Sequence, residues 1–570
     1  MAATDPATNV PEQNAVENNS ENVDVRACFH PGLLDTVETL ALSFANSQPY
    51  SHQRIAPFCA EPLLRGVREE LQRLHYTAKE TDILKYAQSG DLANLDGLGD
   101  AERSRLSSLQ KLRDALYSQE FRAFVSEITG CGPLSGMRTD MSASRFGPGD
   151  HLLLHDDVIG DRRVSFIIYL ADPDTEWSDS QGGRLELYPR APGTWDPALR
   201  PTAHISPCWN QIVLFTVLPG QSHHAVEEVC APGVERLSIQ GWFHFPQPGE
   251  PGFHPDQTAA LWAAGAESSL AQLDARSQRA LRRTEPPVPY AGADAATGSP
   301  LTPADRRYLS RFLSPEYLDT EAVSQIAVRF ADDSHVQLAQ FLNRSTADAL
   351  ERALAAADAQ DDVGADPRPR IPEHGTGEYG AWVAAGPPVV RRFLYLDTEA
   401  DDIAGSAAAD PATLLLALHE LFASASFARW LAAITALVPT ARRGLVRRFR
   451  CGLDYTLATP DVDVAVLDAV LCLARCPERW ADGAVGGYHC YVDADPDDVS
   501  NDGSVCRRAD DSDAALLSVP AAWNSLLLTL REPAVASFVK YISAAAPASR
   551  WDVCFSYHHA QDGSDDEEEQ

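Results

Sequence analysis

The sequence predicts an α+β protein, mainly β, made of two jelly-roll domains with flanking helices, the second a worn copy of the first. Three observations carry this. Short β-rich runs broken by Gly, Pro and Asp (VSFIIYL, GGRLELY, QIVLFTV, RLSIQGWF) follow one another from Ser142 onward, the pattern of a sandwich or barrel. Apolar residues at helical spacing precede them. The order Trp177…GGRLELY…WNQIVLF then returns as Trp480…GGYHCYV…WNSLLLTL, each ahead of an aromatic strand, RLSIQGWFHF and WDVCFSYHH.

Taken in order, residues 1–24 are polar and expected to be disordered, without the apolar core of a signal peptide. Helical patterns fall around Leu33–Phe44 and Leu63–Leu74. A third region, Glu102–Ile128, spaces Leu106, Leu109, Leu112, Leu116, Phe121 and Phe124 for one helical face. With the β-runs they make a first domain over 25–247. The Pro/Gly stretch FPQPGEPGFHP opens a linker with a helix over 248–303. A second jelly-roll spans 304–558, with a low-complexity insert near 355–380 that reads as loop or disorder. The tail, 559–570, is an acidic run that cannot bury itself. In the register of the repeat, RFGPGDHLLLHDD meets RFRCGLDYTLATPD. The step from Asp150 to His155 equals that from Asp454 to Thr459, so the second copy has lost a histidine.

A length of 570 residues suits two to four domains, and 44% hydrophobic with 22% charged residues is ordinary for a globular chain. The net charge of −34 is not ordinary. It opposes non-specific binding to nucleic acid or anionic membranes and suits a basic protein partner. Eleven scattered cysteines make no disulfide framework. The tight pair Cys472 and Cys476 lacks a second pair at zinc-finger spacing and reads as packed free thiols. No apolar run reaches ~18 residues. Cytoplasm and nucleus are the expected compartments.

The chemistry lies in a few residues. Given 16 histidines and 81 acids, chance supplies about two H-x-acid triplets, and the chain has two. His254-Pro-Asp256 sits in the Pro/Gly linker and is set aside. His155-Asp156-Asp157 ends an apolar run and leads into VSFIIYL. In an extended strand His155 and Asp157 would share a face, with Asp156 turned away. Two imidazoles and a carboxylate on one face form the facial triad of non-haem Fe(II) oxygenases. The second imidazole is His223 or His224, which spacing does not separate. A 2-oxoacid and O2 would fill the remaining iron positions. The oxoacid's far carboxylate needs a clamp, for which mid-strand Arg236 is suited, with Ser238 on the same face and Tyr169 as a phenol donor. A metal-binding, sugar- or storage-type cupin is the rival reading, but it leaves Arg236 without a carboxylate.

At these residues the chain resembles the 2-oxoglutarate- and iron-dependent prolyl hydroxylases that modify a small-subunit ribosomal protein at the decoding centre. PYSHQRIAPF, LYSQEFRAFVSEI, HDD…DRRVSFIIYL, HAVEEV, RLSIQGWFH, FLSPEYL, GGYHCYV and FVKYIS carry the resemblance across roughly residues 48–558. It implies two double-stranded β-helix domains, only the first with iron. It places iron on His155, Asp157 and His224, and the cosubstrate carboxylate on Arg236 with Tyr169. It also implies Fe(II), 2-oxoglutarate and O2, with ascorbate as an auxiliary reductant. The substrate would be a basic, proline-containing ribosomal protein, and 2-oxoglutarate would leave as succinate and CO2. A second function is an interaction scaffold of the translation and mRNA machinery, with translation-factor partners on the second domain.

Overall fold

The computed structural model describes residues 24–256, 286–291, 296–364, 369–404, 409–459, 463–493 and 515–560. Residues 1–23, 257–285 and 561–570 lie outside this description. The expected disordered start, linker helix and acidic tail fall there.

The first half carries strands β1 (His52–Ile55), β2 (Thr77–Glu80), β3 (Leu84–Gln88), β4 (Thr139–Phe146), β5 (His151–His155) and β6 (Arg162–Tyr169). It continues with β7 (Leu185–Leu187), β8 (Ala203–Ile205), β9 (Gln211–Thr216), β10 (His224–Val226) and β11 (Arg236–His244). They hydrogen-bond in the order β1-β9-β6-β11-β4-β3-β5-β10-β7-β8. One layer, β1-β9-β6-β11-β4, curls through β3 into the other, β5-β10-β7-β8.

Alternation along β11 sorts its side chains. Leu237, Ile239 and Phe243 join a core with Leu64, Leu109, Leu112, Phe121 and Phe124 from the covering helices. Arg236, Ser238, Gln240 and Trp242 face the cavity between the layers. The expected third helical region is two helices, Ser107–Leu116 and Gln119–Thr129. The second starts afresh because the Ser118 hydroxyl accepts the Phe121 N–H, an N-cap that the leucine spacing did not reveal.

After the short β12 (Val288–Pro289), the second half repeats the first. Its strands are β13 (His335–Ala339), β14 (Trp382–Ala385), β15 (Arg391–Leu396), β16 (Pro439–Phe449), β17 (Tyr455–Thr456) and β18 (Val466–Ala474). Then come β19 (His489–Asp493), β20 (Ala515–Val519), β21 (Ser525–Arg531), β22 (Val535–Val539) and β23 (Arg550–His559). The order β13-β21-β18-β23-β16 is that of β1-β9-β6-β11-β4. The pair β14-β15 stands for β2-β3, and β20-β19-β22 for β8-β7-β10.

The repeated WN has one job in both halves. Asn210 and Asn524 have φ of 55° and 50°, and each side-chain amide caps the loop after the first strand of its barrel. Asn210 accepts the Phe58 and Cys59 N–H groups, and Asn524 accepts the Leu342 N–H. Asparagine tolerates this backbone because its short amide bonds locally.

The insert near 355–380 departs from expectation. Residues 355–360 complete the helix Arg344–Gln360. Asp358 there is buried and takes Arg448 at 3.1 Å and Arg475 at 3.0 Å. His374 reaches across to Glu186 of the first barrel at 2.7 Å. Composition suggested loop because alanine and aspartate look solvated; arginines distant in sequence order them instead. The ten described cysteines are free, but only Cys472 of the tight pair is buried, and Cys476 is exposed. No single described helix is long and apolar enough to cross a membrane.

Candidate active site

His155 closes β5 and His224 opens β10, and the two are paired directly across the sheet, with ring centroids 4.2 Å apart. Each ring is fixed through Nδ1. His155 Nδ1 lies 2.9 Å from the Leu153 carbonyl and His224 Nδ1 2.8 Å from the Ser222 carbonyl. A carbonyl only accepts, so Nδ1 carries the proton and the Nε2 lone pair is free for a metal. Both Nε2 atoms converge on Asp157: His155 on Oδ1 at 3.4 Å and His224 on Oδ2 at 3.6 Å. The ligand atoms of His155, Asp157 and His224 all lie within 4.8 Å of one another. His223 is not in this group.

Strand alternation is not what brings Asp157 in. β5 ends at His155, and Asp157 has φ 61°, a left-handed conformation that aspartate adopts more readily than most residues. The chain turns there and aims the carboxylate back at both imidazoles. Asp156, expected to turn away, accepts the Val158 N–H at 3.3 Å and the Gly220 N–H at 3.3 Å and lies on the cavity wall. Two residues absent from the sequence-based site hold Asp157. The Ser165 hydroxyl and the Trp242 indole N–H donate to Oδ2 at 2.9 Å and 3.1 Å. Arg162 stacks on that indole, its guanidinium carbon 3.4 Å from the ring centre. Trp242 shares parity with Arg236 in RLSIQGWF, and that was the available signal.

Burial works against the charged forms here, and the neighbours overrule it unevenly. Burial would raise the Asp157 carboxyl, but the His224 charge and the His155 contact hold it well below the usual carboxylate range. Burial would lower His155, yet its contact with Asp157 raises it. His224, pressed by burial and then by His155, falls to about 4. The site is thus a carboxylate and two imidazoles collected around one point, which is what a divalent ion requires.

At the other end of the cavity, of about 520 Å³, lies Arg236. It is 1% exposed, and no carboxylate faces it among its ion pairs in the described residues. Nε donates to the Gly183 carbonyl at 2.9 Å and Nη1 to the Ser238 hydroxyl at 3.3 Å, while Nη2 is buried with no hydrogen-bond partner. Its guanidinium lies over the Phe146 ring at 4.9 Å and the Tyr169 ring at 5.0 Å. Tyr169 sits behind the cavity wall. Its hydroxyl feels the guanidinium's charge but is also buried without a hydrogen-bond partner. Two orphaned buried donors on one spot are costly unless an anion completes them.

Residues 141–244 match the 2OG-Fe(II) oxygenase superfamily. Residues 304–566 match the family described as the oxoglutarate and iron-dependent oxygenase degradation C-terminal domain. The prolyl 3,4-dihydroxylase OGFOD1 of Ostreococcus tauri is 34% identical over 532 residues, covering 90% of this chain and 96% of that one. The chain belongs to the OGFOD1-type family of 2-oxoglutarate- and iron-dependent oxygenases. The prolyl 3-hydroxylase OGFOD1 of Xenopus laevis is 32% identical over 311 residues, 54% of this chain and 50% of that one. Sudestada1 of Drosophila melanogaster, also a prolyl 3-hydroxylase, is 35% identical over 183 residues, 31% of each chain. The protein is a dioxygenase, and its His–Asp–His group fits Fe(II) by donor type and geometry.

Proposed function

We propose that this enzyme hydroxylates a proline of a basic small-subunit ribosomal protein, with iron held by His155, Asp157 and His224. In this reading the far carboxylate of 2-oxoglutarate meets Arg236, Ser238 and Tyr169. The observation that carries it is the pair of orphaned donors, Arg236 Nη2 and Tyr169 Oη, at the far end of the cavity from the three converging ligands. Iron with 2-oxoglutarate and O2, when bound, supplies the oxidation and releases succinate and CO2. The chain's residues position the partners. Leu153 and Ser222 fix the imidazole tautomers, and Ser165 and Trp242 hold the carboxylate toward them. Arg236 offers a planar fork to a carboxylate, and the enclosed cavity keeps bulk water from the reacting centre.

Names of the relatives support proline as the target residue. The net charge of −34 supports a basic protein partner. A place in cytoplasm and nucleus is supported by ten free cysteines among the described residues. The scaffold reading gains nothing comparable, because the second barrel is built into the first. Ile83, Leu84 and Leu153 share one apolar cluster with Tyr455, Leu457 and Tyr541. Deleting residues from about 300 onward would strip that cluster, so it cannot test docking cleanly.

The test is mass spectrometry of small-subunit ribosomal proteins incubated with the purified enzyme, Fe(II) and 2-oxoglutarate. One proline should gain an oxygen, and Arg236→Ala should need at least ten-fold more 2-oxoglutarate for the same turnover. Turnover of 2-oxoglutarate with no modified ribosomal proline would remove the substrate assignment. An unchanged 2-oxoglutarate requirement in Arg236→Ala would remove the clamp.

A further inference from the structure

The second barrel encloses a cavity of about 530 Å³, close to the roughly 520 Å³ of the catalytic one. Strand register sets the two side by side. Arg550 is opposite Phe449 as Arg236 is opposite Phe146, which puts Asp552 where Ser238 stands. By the same register Arg447 replaces Ser144 and Arg443 replaces Asp140, while Asp468 replaces Ser165. Thr459 and Ser537 bridge each other where His155 and His224 pair. Hydroxyls have taken the places of both imidazoles.

The sign of the site has inverted with its side chains. Asp552 is fully buried and takes Arg447 at 2.7 Å and Arg550 at 3.2 Å. The counterpart of the cosubstrate clamp therefore has a carboxylate from the chain itself. Nearer the mouth, Arg391, Arg443, Arg447 and Arg531 line the cavity with one acid, Asp468. That concentration of guanidinium groups occurs in a chain of net charge −34. His489, 6% exposed, lies on the same wall with Nδ1 lacking a hydrogen-bond partner. Burial and then Arg550, Arg447 and Arg531 keep its imidazole well below the ordinary range, so it is a neutral hydrogen-bonding group in a positive field.

We propose that this second cavity is a metal-free binding site for a small polyanion carrying carboxylate or phosphate groups. Guanidinium forks match both groups bidentately. A low-dielectric, concave setting strengthens each contact over its value on an open surface. The catalytic barrel gathers anionic and neutral ligands around a cation; the second gathers arginines and hydroxyls around an anion.

Calorimetric titration of the full-length protein with inorganic phosphate and with tricarballylate, at constant ionic strength, tests this. At least one should bind saturably near one per chain. Phosphate alone would assign a phosphate-bearing ligand, and tricarballylate alone a carboxylate. Arg443→Glu should weaken binding ten-fold or more, and Arg236→Ala should leave it unchanged. Ser537→Phe plugs the cavity without altering charge and should also abolish binding, which covers the case where Arg443→Glu does not fold. Absence of saturable binding by both anions overturns the proposal. So does binding that survives the second-barrel substitutions, or that is lost with Arg236→Ala.

Discussion

The Trp242 indole N–H and the Ser165 hydroxyl meet on one oxygen of Asp157, so this carboxylate is aimed before any ion arrives. Outer partners of this kind typically govern ligand orientation and 10–100-fold in metal affinity or activity. Trp242→Phe keeps most of the ring and removes the donor. We expect Fe(II) affinity, measured by titration of the metal-free enzyme, to fall about ten-fold or more; unchanged affinity would show that Ser165 alone holds Asp157. Much of this site was legible from residue type, since His155, Asp157 and Arg236 are the groups this chemistry needs. The choice between His223 and His224 was not legible from spacing. It depends on which residue of a consecutive pair faces β5, and cross-strand register decides that.

At the scale of elements, the paired glycines of GGRLELY and GGYHCYV explain why that motif recurs. Gly182 has φ 71° and Gly486 φ 71°. A Cβ on Gly182 would lie 2.0 Å from the Glu228 carbonyl oxygen, and one on Gly486 would lie 1.9 Å from the Tyr541 carbonyl oxygen. Backbone approaches side-on at the same point of both barrels, and only glycine admits it. Gly182→Ala should cost about 3 kcal/mol or more through clash and strained φ, read as a lower midpoint in chemical denaturation. A change within 0.5 kcal/mol would mean that the loop shifts freely. The insert near 355–380 shows the opposite case: its order comes from Arg448 and Arg475, far along the chain, and no local pattern announces them.

For the whole molecule, the contact between barrels contains a buried acid. Glu228 takes the Ala544 N–H at 2.6 Å and the Tyr541 hydroxyl at 3.3 Å, with Ser543 on its other oxygen. Burial pushes its carboxyl up to about 7, against the lowering effect of those hydrogen bonds. A folded-state pKa above the unfolded value means that its stabilising contribution is full below about 4.5 and is lost as pH rises through about 7. The span corresponds to on the order of 3 kcal/mol. Glu228→Gln mimics the protonated acid. It should raise stability at pH 8 relative to the parent and change it little at pH 4.5, as measured by denaturant unfolding at both values. Equal effects at both pH values would exclude a buried carboxyl titrating at the interface.

The sequence alone determined the elements, the duplication and the residue types of the site, because periodicity, turn chemistry and ligand identity are local properties. The degraded second site was also visible, in the threonine at 459. Tertiary structure decided the rest. It turned Asp157 back through a left-handed residue, added Trp242 and Ser165 behind it, and joined the barrels through Glu228. It also showed that Thr459 and Ser537 are bridged in a cavity rich in arginine. Those outcomes depend on which strands lie side by side and in what register, and that is fixed by packing across hundreds of residues.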